Sequence, residues 1–495
     1  MSFKDKKIYH GMKDLVNKSL AILDRSGVNI QVIDDSNIEV NLKNIPPISF
    51  LLNDTISRQI NSQIKEIEKT KEFAYTCDLV NKRPPTKSDS KPKKHDDIHQ
   101  LRIKMGLDVP LSADVENTLR KQQFSTDLSH FLIVYCNLKK DLEFDDDIFN
   151  GLYKRFEEKM YGKNYTMALC PLKKFYLETD ELILDAKIKI RRISQGELSF
   201  INKEMASNTL NKFDDIQFTI EYIYDENEFR KQQDVDDWDW ICEKKFIVII
   251  ALLRLFKDGD FHNPLENFQV PFWGTVPRGI HYNLCDRYIP REGKYILKRE
   301  AAKDFTEFYK KSLRFGDDGK MFIALERFNL AYEKKRFEDN IIDYVIALEA
   351  LFVNSKRIGM EVGLKSGFLI EDSKEEITEI YKFMKGVYDL RSKIVHGDKI
   401  KIPMKIGGED YYSDYQLKPA IIKIFREIIS AFFDEERIGG KKEIFAIIEE
   451  ELKSDEKPLP KYKSGEENIE SILDKVERKI KLQGQPEPES AGVSK

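Results

Sequence analysis

The chain has 495 residues, 41% of them hydrophobic and 11% aromatic, the composition of a folded protein with room for roughly two to four domains. Its net charge is only −4 although 34% of residues are charged, so no chain-wide basic field steers nucleic acid, and any such site must be a local patch. Five cysteines, odd in number, widely scattered and without a C-x-x-C pair, argue against a disulfide framework and a structural zinc site.

The opening "MSFKDKKIYHGMKD" lacks the apolar core of a secretory signal. The longest apolar run, "FIVIIALLRLF" at 246 to 256, contains Arg254 and is about half the ~20 residues of a membrane span. A buried helix or strand, and a cytoplasmic protein without membrane attachment, are expected. In the first eighty residues, strand-like "VNIQVIDD" and "IEVNLKNI" alternate with helical "TISRQINSQIKEIEKTKEF". The Lys-, Pro- and Ser-rich stretch at 81–97 reads as a surface loop or linker. From about 100 to 300, runs of strand length such as "HFLIVYCNL", "KKFYLETDELIL" and "DIQFTIEYIY" alternate with charged helical stretches.

Beyond about residue 300 the pattern turns helical. "REAAKDFTEFYKKSL", "MFIALERFNLAYEKK", "FEDNIIDYVIALEALFV", "SKEEITEIYKFMKGVYDLRSKIVH" with Ser373 as N-cap, "LKPAIIKIFREIISAFFDEE" opened by Pro419, and "KKEIFAIIEEELK" predict a bundle. One more amphipathic stretch carries Ile469, Ile472, Leu473, Val476 and Ile480 on one face, ahead of a tail of disordered composition. The expected fold class is α+β. A mixed α/β sensor or regulatory region spans 1–300, a helical bundle 301–450, and a C-terminal amphipathic helix and tail 451–495.

Two charges sit where apolar residues belong. Ile377, Tyr381, Met384, Tyr388, Arg391 and Val395 follow at steps of four and three, the stripe of a buried helix face. His396 comes just after, and Gly397 offers a stop. On the earlier helix Ile342, Val345, Ile346, Glu349 and Phe352 share a face. A lone buried charge is costly, so Glu349 and Arg391 are expected to face each other across two helices or to share a polar cavity; a structural ion pair would suffice for that. Arg391 and His396 are five apart, about 140° on an ideal helix, so they can meet only if the helix ends there. A guanidinium fork beside an imidazole is equipment for a phosphodiester. The Arg holds non-bridging oxygens, and the His moves a proton.

"YDLRSKIVHG", preceded some forty residues earlier by "EDNIIDYVIALEALF", resembles the HEPN superfamily, and within it the ApeA-like branch. The R-x(4–6)-H motif of that superfamily falls on Arg391 and His396, with polar Ser392 after the Arg; its "iaLEaLf" helix falls on Ile346 to Phe352. The likeness covers roughly residues 320 to 435. It implies a metal-independent endoribonuclease with no cofactor, in which the 2′-hydroxyl of RNA, transfer RNA included, is the nucleophile. It implies Arg391 and His396 as catalytic residues, Ser392 and Glu349 as supporting ones, and a homodimer whose two motifs meet in one cleft. Only one such motif is present, since "RGIH" at 278–281 has the wrong spacing, so a second copy has to come from another chain. Antiphage abortive infection, with the N-terminal region sensing a phage-derived trigger, is implied by analogy alone. Lys385, Lys393 and Lys382 lie on the motif helix and could line an RNA approach, or be a solvated face.

The alternatives are a non-catalytic HEPN binding or dimerisation module in a defence or toxin–antitoxin complex, and a nucleotidyl-transfer or nucleotide-cleaving role. "HDDIH" at 95–99 falls in the linker-like stretch and reads as solvated loop, not metal site. "GGED" at 407–410 reads as a hairpin turn. Trp238 and Trp240, flanked by four aspartates, suit a core or protein contact better than a polyanion.

Overall fold

In a computed structural model, the described residues are 5–28, 54–81, 113–163, 165–205, 216–225, 238–272, 279–282, 294–315, 318–401, 403–454, and near the end 470, 472–476 and 478. The stretches "VNIQVIDD" (past its first residue) and "IEVNLKNI", the linker-like stretch beyond Asn81, "HDDIH", the side chains of Trp238 and Trp240, and the tail lie outside them. The chain is α+β, with a helical C-terminal region. Among the described residues the α-helices are α1 Lys6–Arg25, α2 Asp54–Ile67, α3 Lys71–Asn81, α4 Ala113–Lys139, α5 Asp146–Met160, α6 Gln195–Met205, α7 Trp238–Phe256, α8 Arg299–Ser312, α9 Gly319–Glu333, α10 Phe337–Phe352, α11 Ile358–Ile370, α12 Lys374–Val395, α13 Asp414–Phe433 and α14 Glu435–Ser454. The strands are β1 Tyr165–Lys173, β2 Phe175–Leu177, β3 Glu181–Ile183, β4 Ile188–Arg192, β5 Ile216–Asp225, β6 Leu265–Pro271, β7 Gly279–Tyr282, β8 Tyr295–Leu297, β9 Met404–Ile406 and β10 Glu409–Tyr411.

The chain divides into two compact units. One comprises 1–172, 185–239 and 265–282, the other 173–184, 240–264 and 283–495. In the first, α1 to α5 close over one apolar core that includes Met12, Leu20, Phe73, Phe131 and Phe149. Asp145 caps α5 by accepting from the N–H groups of Asp147 and Ile148. "HFLIVYCNL" is helical, not a strand: it lies inside α4, where residues 131 to 136 are all buried. A helix covered on every side reads as an unbroken apolar run, which periodicity cannot tell from a buried strand. "DIQFTIEYIY" forms β5 as expected. Within this unit the sheet order is β4-β5-β1-β6-β7, with β4–β5, β1–β6 and β6–β7 antiparallel. The side chains of α6 and this sheet share a small core around Leu198, Ile201, Phe268 and Val270.

The second unit holds α8 to α14 and draws in α7 from before residue 300. Arg254 of α7 is fully buried. It donates to Asn329 Oδ1 at 3.0 Å and to Glu333 at 2.7 Å, between the rings of Tyr332 and Phe261, so the buried charge is paired and stacked. The six helices expected after residue 300 are present, with Ser373 as the N-cap of α12. α13 starts at Asp414, so Pro419 lies inside it instead of opening it. Ile472, Leu473 and Val476 of the C-terminal stretch are buried against Leu364, Tyr381 and Ile448.

One helix was not expected: α11, "IGMEVGLKSGFLI", whose glycines recur every four residues. A Cβ on Gly363 would lie 2.8 Å from the Tyr381 ring, and one on Gly367 2.8 Å from the Ile377 carbonyl. The glycine ridge therefore lets the α11 backbone lie directly on α12, at the helix-propensity cost of each Gly. The β9–β10 hairpin turns at Gly407 and Gly408, both at positive φ, as the "GGED" signal predicts. It packs on α12, where a Cβ at Gly386 would lie 3.0 Å from Ile406.

Candidate functional site

α12 carries the motif, and its apolar stripe explains where the motif ends up. Ile377, Tyr381 and Met384 are buried, Tyr388 and Arg391 are half-buried, and Val395 is 53% exposed. The stripe thus runs out of the core toward solvent, and Arg391 stands at the crossing. The helix stops in a Schellman motif. The N–H of Gly397, at φ +78°, bonds the Ile394 carbonyl, and that of Asp398 bonds the Lys393 carbonyl. His396 is the C-cap. Its backbone N–H bonds the Ser392 carbonyl at 3.0 Å, and its side chain is exposed. No hydrogen bond joins His396 to Arg391 among the described residues. Ser392 is half-buried, Lys393 and Lys382 are exposed, and Lys385 forms an ion pair with Asp389 at 2.7 Å one turn on.

Glu349 occupies the last turn of α10, where its carbonyl accepts the Val353 N–H. The deepest face of α10 is formed by Ile341, Tyr344, Val345, Leu348 and Phe352. Ile342, Ile346 and Glu349 lie along its half-buried margin. Burial raises the Glu349 carboxyl above its ordinary value, and the Arg391 charge pulls it back in part. The two groups therefore feel each other across packed helices, yet the expected ion pair is not formed: no Glu349 oxygen and Arg391 nitrogen come within ion-pair distance. Glu349 Oε1 and Arg391 Nε are each buried without a hydrogen-bond partner. A buried acceptor and a buried donor, each left open, carry a desolvation cost that a partner would relieve.

α11 frames both. Lys365 donates to the Phe352 carbonyl at the end of α10 at 2.8 Å, to Glu361 at 2.6 Å and to Glu449 of α14 at 2.6 Å. Glu361 in turn accepts from the N–H groups of Asn354 and Ser355. The helix end that bears Glu349 is so tied to α11. From the other side Gly359 makes room for the Tyr388 ring, whose centroid lies 5.9 Å from the Arg391 guanidinium carbon. Glu361 and Lys365 were not read from the sequence as structural residues, and Tyr388 only as stripe. The available signal was the four-residue glycine spacing, with Glu361 and Lys365 one turn apart between the glycines.

A guanidinium can hold a phosphate and an imidazole can move a proton, but α12 stays helical through Val395 with His396 in the αR region, so the backbone does not turn Arg391 and His396 of one chain onto a common face. Among the described residues no group of three or more His, Cys, Asp or Glu is arranged to hold a metal ion, and no helix is long and apolar enough to cross a membrane. Of "RGIH", residues Gly279 to His281 lie in β7, and Arg278 lies outside the described residues. No protein-family model, no curated protein and no solved structure matches this chain.

Proposed function

We propose that the protein is a cytoplasmic, HEPN-like endoribonuclease acting as a homodimer, with its N-terminal region gating an antiphage, abortive-infection response. The observation that supports it is that Arg391 Nε, near the end of a helix that stops at an exposed His396, and Glu349 Oε1, at the end of α10, are both buried and both without a hydrogen-bond partner. A structural ion pair would have closed on itself. In this reading Arg391 holds the non-bridging oxygens of an RNA phosphate, and Glu349 and Ser392 support it. The 2′-hydroxyl gives up its proton to one His396 imidazole and attacks phosphorus. The P–O5′ bond breaks, the leaving oxygen takes a proton from a second His396, and a 2′,3′-cyclic phosphate and a 5′-hydroxyl result. Each chain supplies one motif, so the second comes from the partner. Ile342, Ile346 and Val353, half-buried, and Val395, exposed, are apolar side chains that a second copy would cover in this reading.

The test is incubation with total transfer RNA, with and without EDTA, and mapping of the ends. Cleavage by the parent that persists in EDTA, and loss of it in His396→Ala and Arg391→Ala, support the proposal; variants that cleave like the parent overturn it. A non-catalytic binding or dimerisation module is the second reading, favoured by the absence, among the described residues, of any neighbour that orients the His396 ring; a dimer with no cleavage of any RNA would select it.

A further inference from the structure

We infer that Tyr388 is a positioning residue for Arg391, and that it can be one only because position 359 is glycine. The inference rests on the ribonuclease reading for its consequence, though not for its geometry. Residues 388 and 391 are three apart on α12 and so share a face. The Arg391 guanidinium carbon stands 5.9 Å from the Tyr388 ring centroid, at the outer reach of a cation–π contact. Among the described residues this ring contact is the interaction recorded for the guanidinium, since Arg391 makes neither an ion pair nor a hydrogen bond and its Nε is buried without a partner. The ring is backed on one face by the neighbouring helix. It lies flat against the first turn of α11, where a Cβ on Gly359 would sit 2.7 Å from Tyr388 Cδ1, 3.0 Å from Cγ and 3.2 Å from Cε1. Those distances are below van der Waals contact, so any side chain at 359 displaces the ring and, with it, the guanidinium.

A long arginine free to sample its rotamers loses that freedom on gripping a phosphate; a guanidinium already laid along a ring loses less. Glu349 acts on Arg391 through its charge alone, because it is not within ion-pair distance. Tyr388 therefore acts through Arg391, without touching RNA. Its hydroxyl makes no hydrogen bond among the described residues, which predicts that the ring alone is needed.

Two readouts test this on the full-length chain. The first is the rate at which phenylglyoxal modifies Arg391, followed by mass spectrometry of the peptide. Tyr388→Leu and Gly359→Ala are expected to raise it severalfold, and Tyr388→Phe to leave it at the parent rate. The second is RNA cleavage. Tyr388→Leu and Gly359→Ala are expected to lower kcat by about ten- to a hundredfold with a small change in KM, with Tyr388→Phe restoring it. Thermal melting of each variant separates these effects from unfolding, and the two variants reach the same contact from opposite helices. An unchanged modification rate in both variants overturns the positioning role. A raised rate with parent-like kcat, while Arg391→Ala is inactive, overturns its consequence for catalysis. If the parent cleaves no RNA, the ribonuclease reading fails instead, and the modification rates alone decide whether Tyr388 holds Arg391.

Discussion

Lys365, 2% exposed, holds its ammonium 2.6 Å from the carboxylate of Glu361, itself fully buried one turn earlier on α11. Every ammonium proton is engaged, since the Phe352 carbonyl and Glu449 take the other two. Lys365→Met would leave the buried Glu361 carboxylate with only the Asn354 and Ser355 N–H groups to oppose its charge, and breaking a buried pair in this way costs about 3–5 kcal/mol. Urea unfolding of the variant should show that loss. The double variant Glu361→Gln with Lys365→Met should recover part of it, because the charge that then lacks Lys365 is Glu449, which is partly exposed and keeps the Asn354 side-chain amide as a donor. A loss under about 1 kcal/mol in the single variant would mean that the pair is not sealed from water.

The glycines of the two neighbouring helices should respond in opposite directions. At Gly363 a methyl would meet the Tyr381 ring at 2.8 Å, whereas at Gly439 of α14 nothing lies within 4 Å. Gly363→Ala is therefore an overpacking change, costing about 1–3 kcal/mol. Gly439→Ala is a helix-propensity gain, worth about 1 kcal/mol. Melting temperatures of the two variants should move to either side of the parent. Equal shifts would show that α11 can back away from α12, and that the close approach is not enforced.

Much of the second unit was legible because its surface helices alternate apolar and charged residues in the helical period. α8, α9, α10 and α12 to α14 were each found this way. α11 was not, because a helix buried on all sides has no polar face to set a period, and its glycines look like loop. The same blindness turned the buried end of α4 into a strand. The motif on α12 was visible as a charge in a stripe, and Gly397 as a stop. That the stripe leaves the core before Arg391 was not visible, since spacing gives the face of a helix and not the depth of its neighbours. Nor could spacing show that Glu349 and Arg391 stop short of an ion pair, a matter of side-chain reach between α10 and α12.

Glu349 predicts a pH dependence of known sign. Burial keeps its carboxyl protonated above the ordinary value of 4.5. Between that value and the raised one the folded state binds more protons than the unfolded state, so stability falls as pH rises through this window and levels off above it. Other carboxyls are shifted too, Glu371 upward and Glu197 and Asp372 downward, so the effect is read as a difference: Glu349→Gln cannot ionise, and the parent's stability relative to it should fall as pH rises through the window. Arg391→Gln removes the charge that opposes burial, so there the fall should extend to higher pH. Urea unfolding at a series of pH values compares the three proteins. A parent whose stability relative to Glu349→Gln stays level or rises across the window would contradict the assignment.

The helix end offers the cleanest separation of activity from stability. His396 is exposed and its side chain has no partner among the described residues, so His396→Ala should shift unfolding by no more than about 0.5 kcal/mol, as for other surface sites, while RNA cleavage is lost. Gly397 is different. It holds the left-handed turn at φ +78°, with open space where a Cβ would be, so Gly397→Ala is penalised through the backbone alone, by about 1 kcal/mol. Asn tolerates that conformation far better than other side chains, and Gly397→Asn should recover most of the loss. If the C-cap geometry is what presents the imidazole, cleavage should follow the same order: Gly, then Asn, then Ala. Melting curves and cleavage rates on the same preparations check both. A Gly397→Ala protein as stable as the parent would show that the chain can leave α12 by another path, and His396 would then have no fixed place at the helix end.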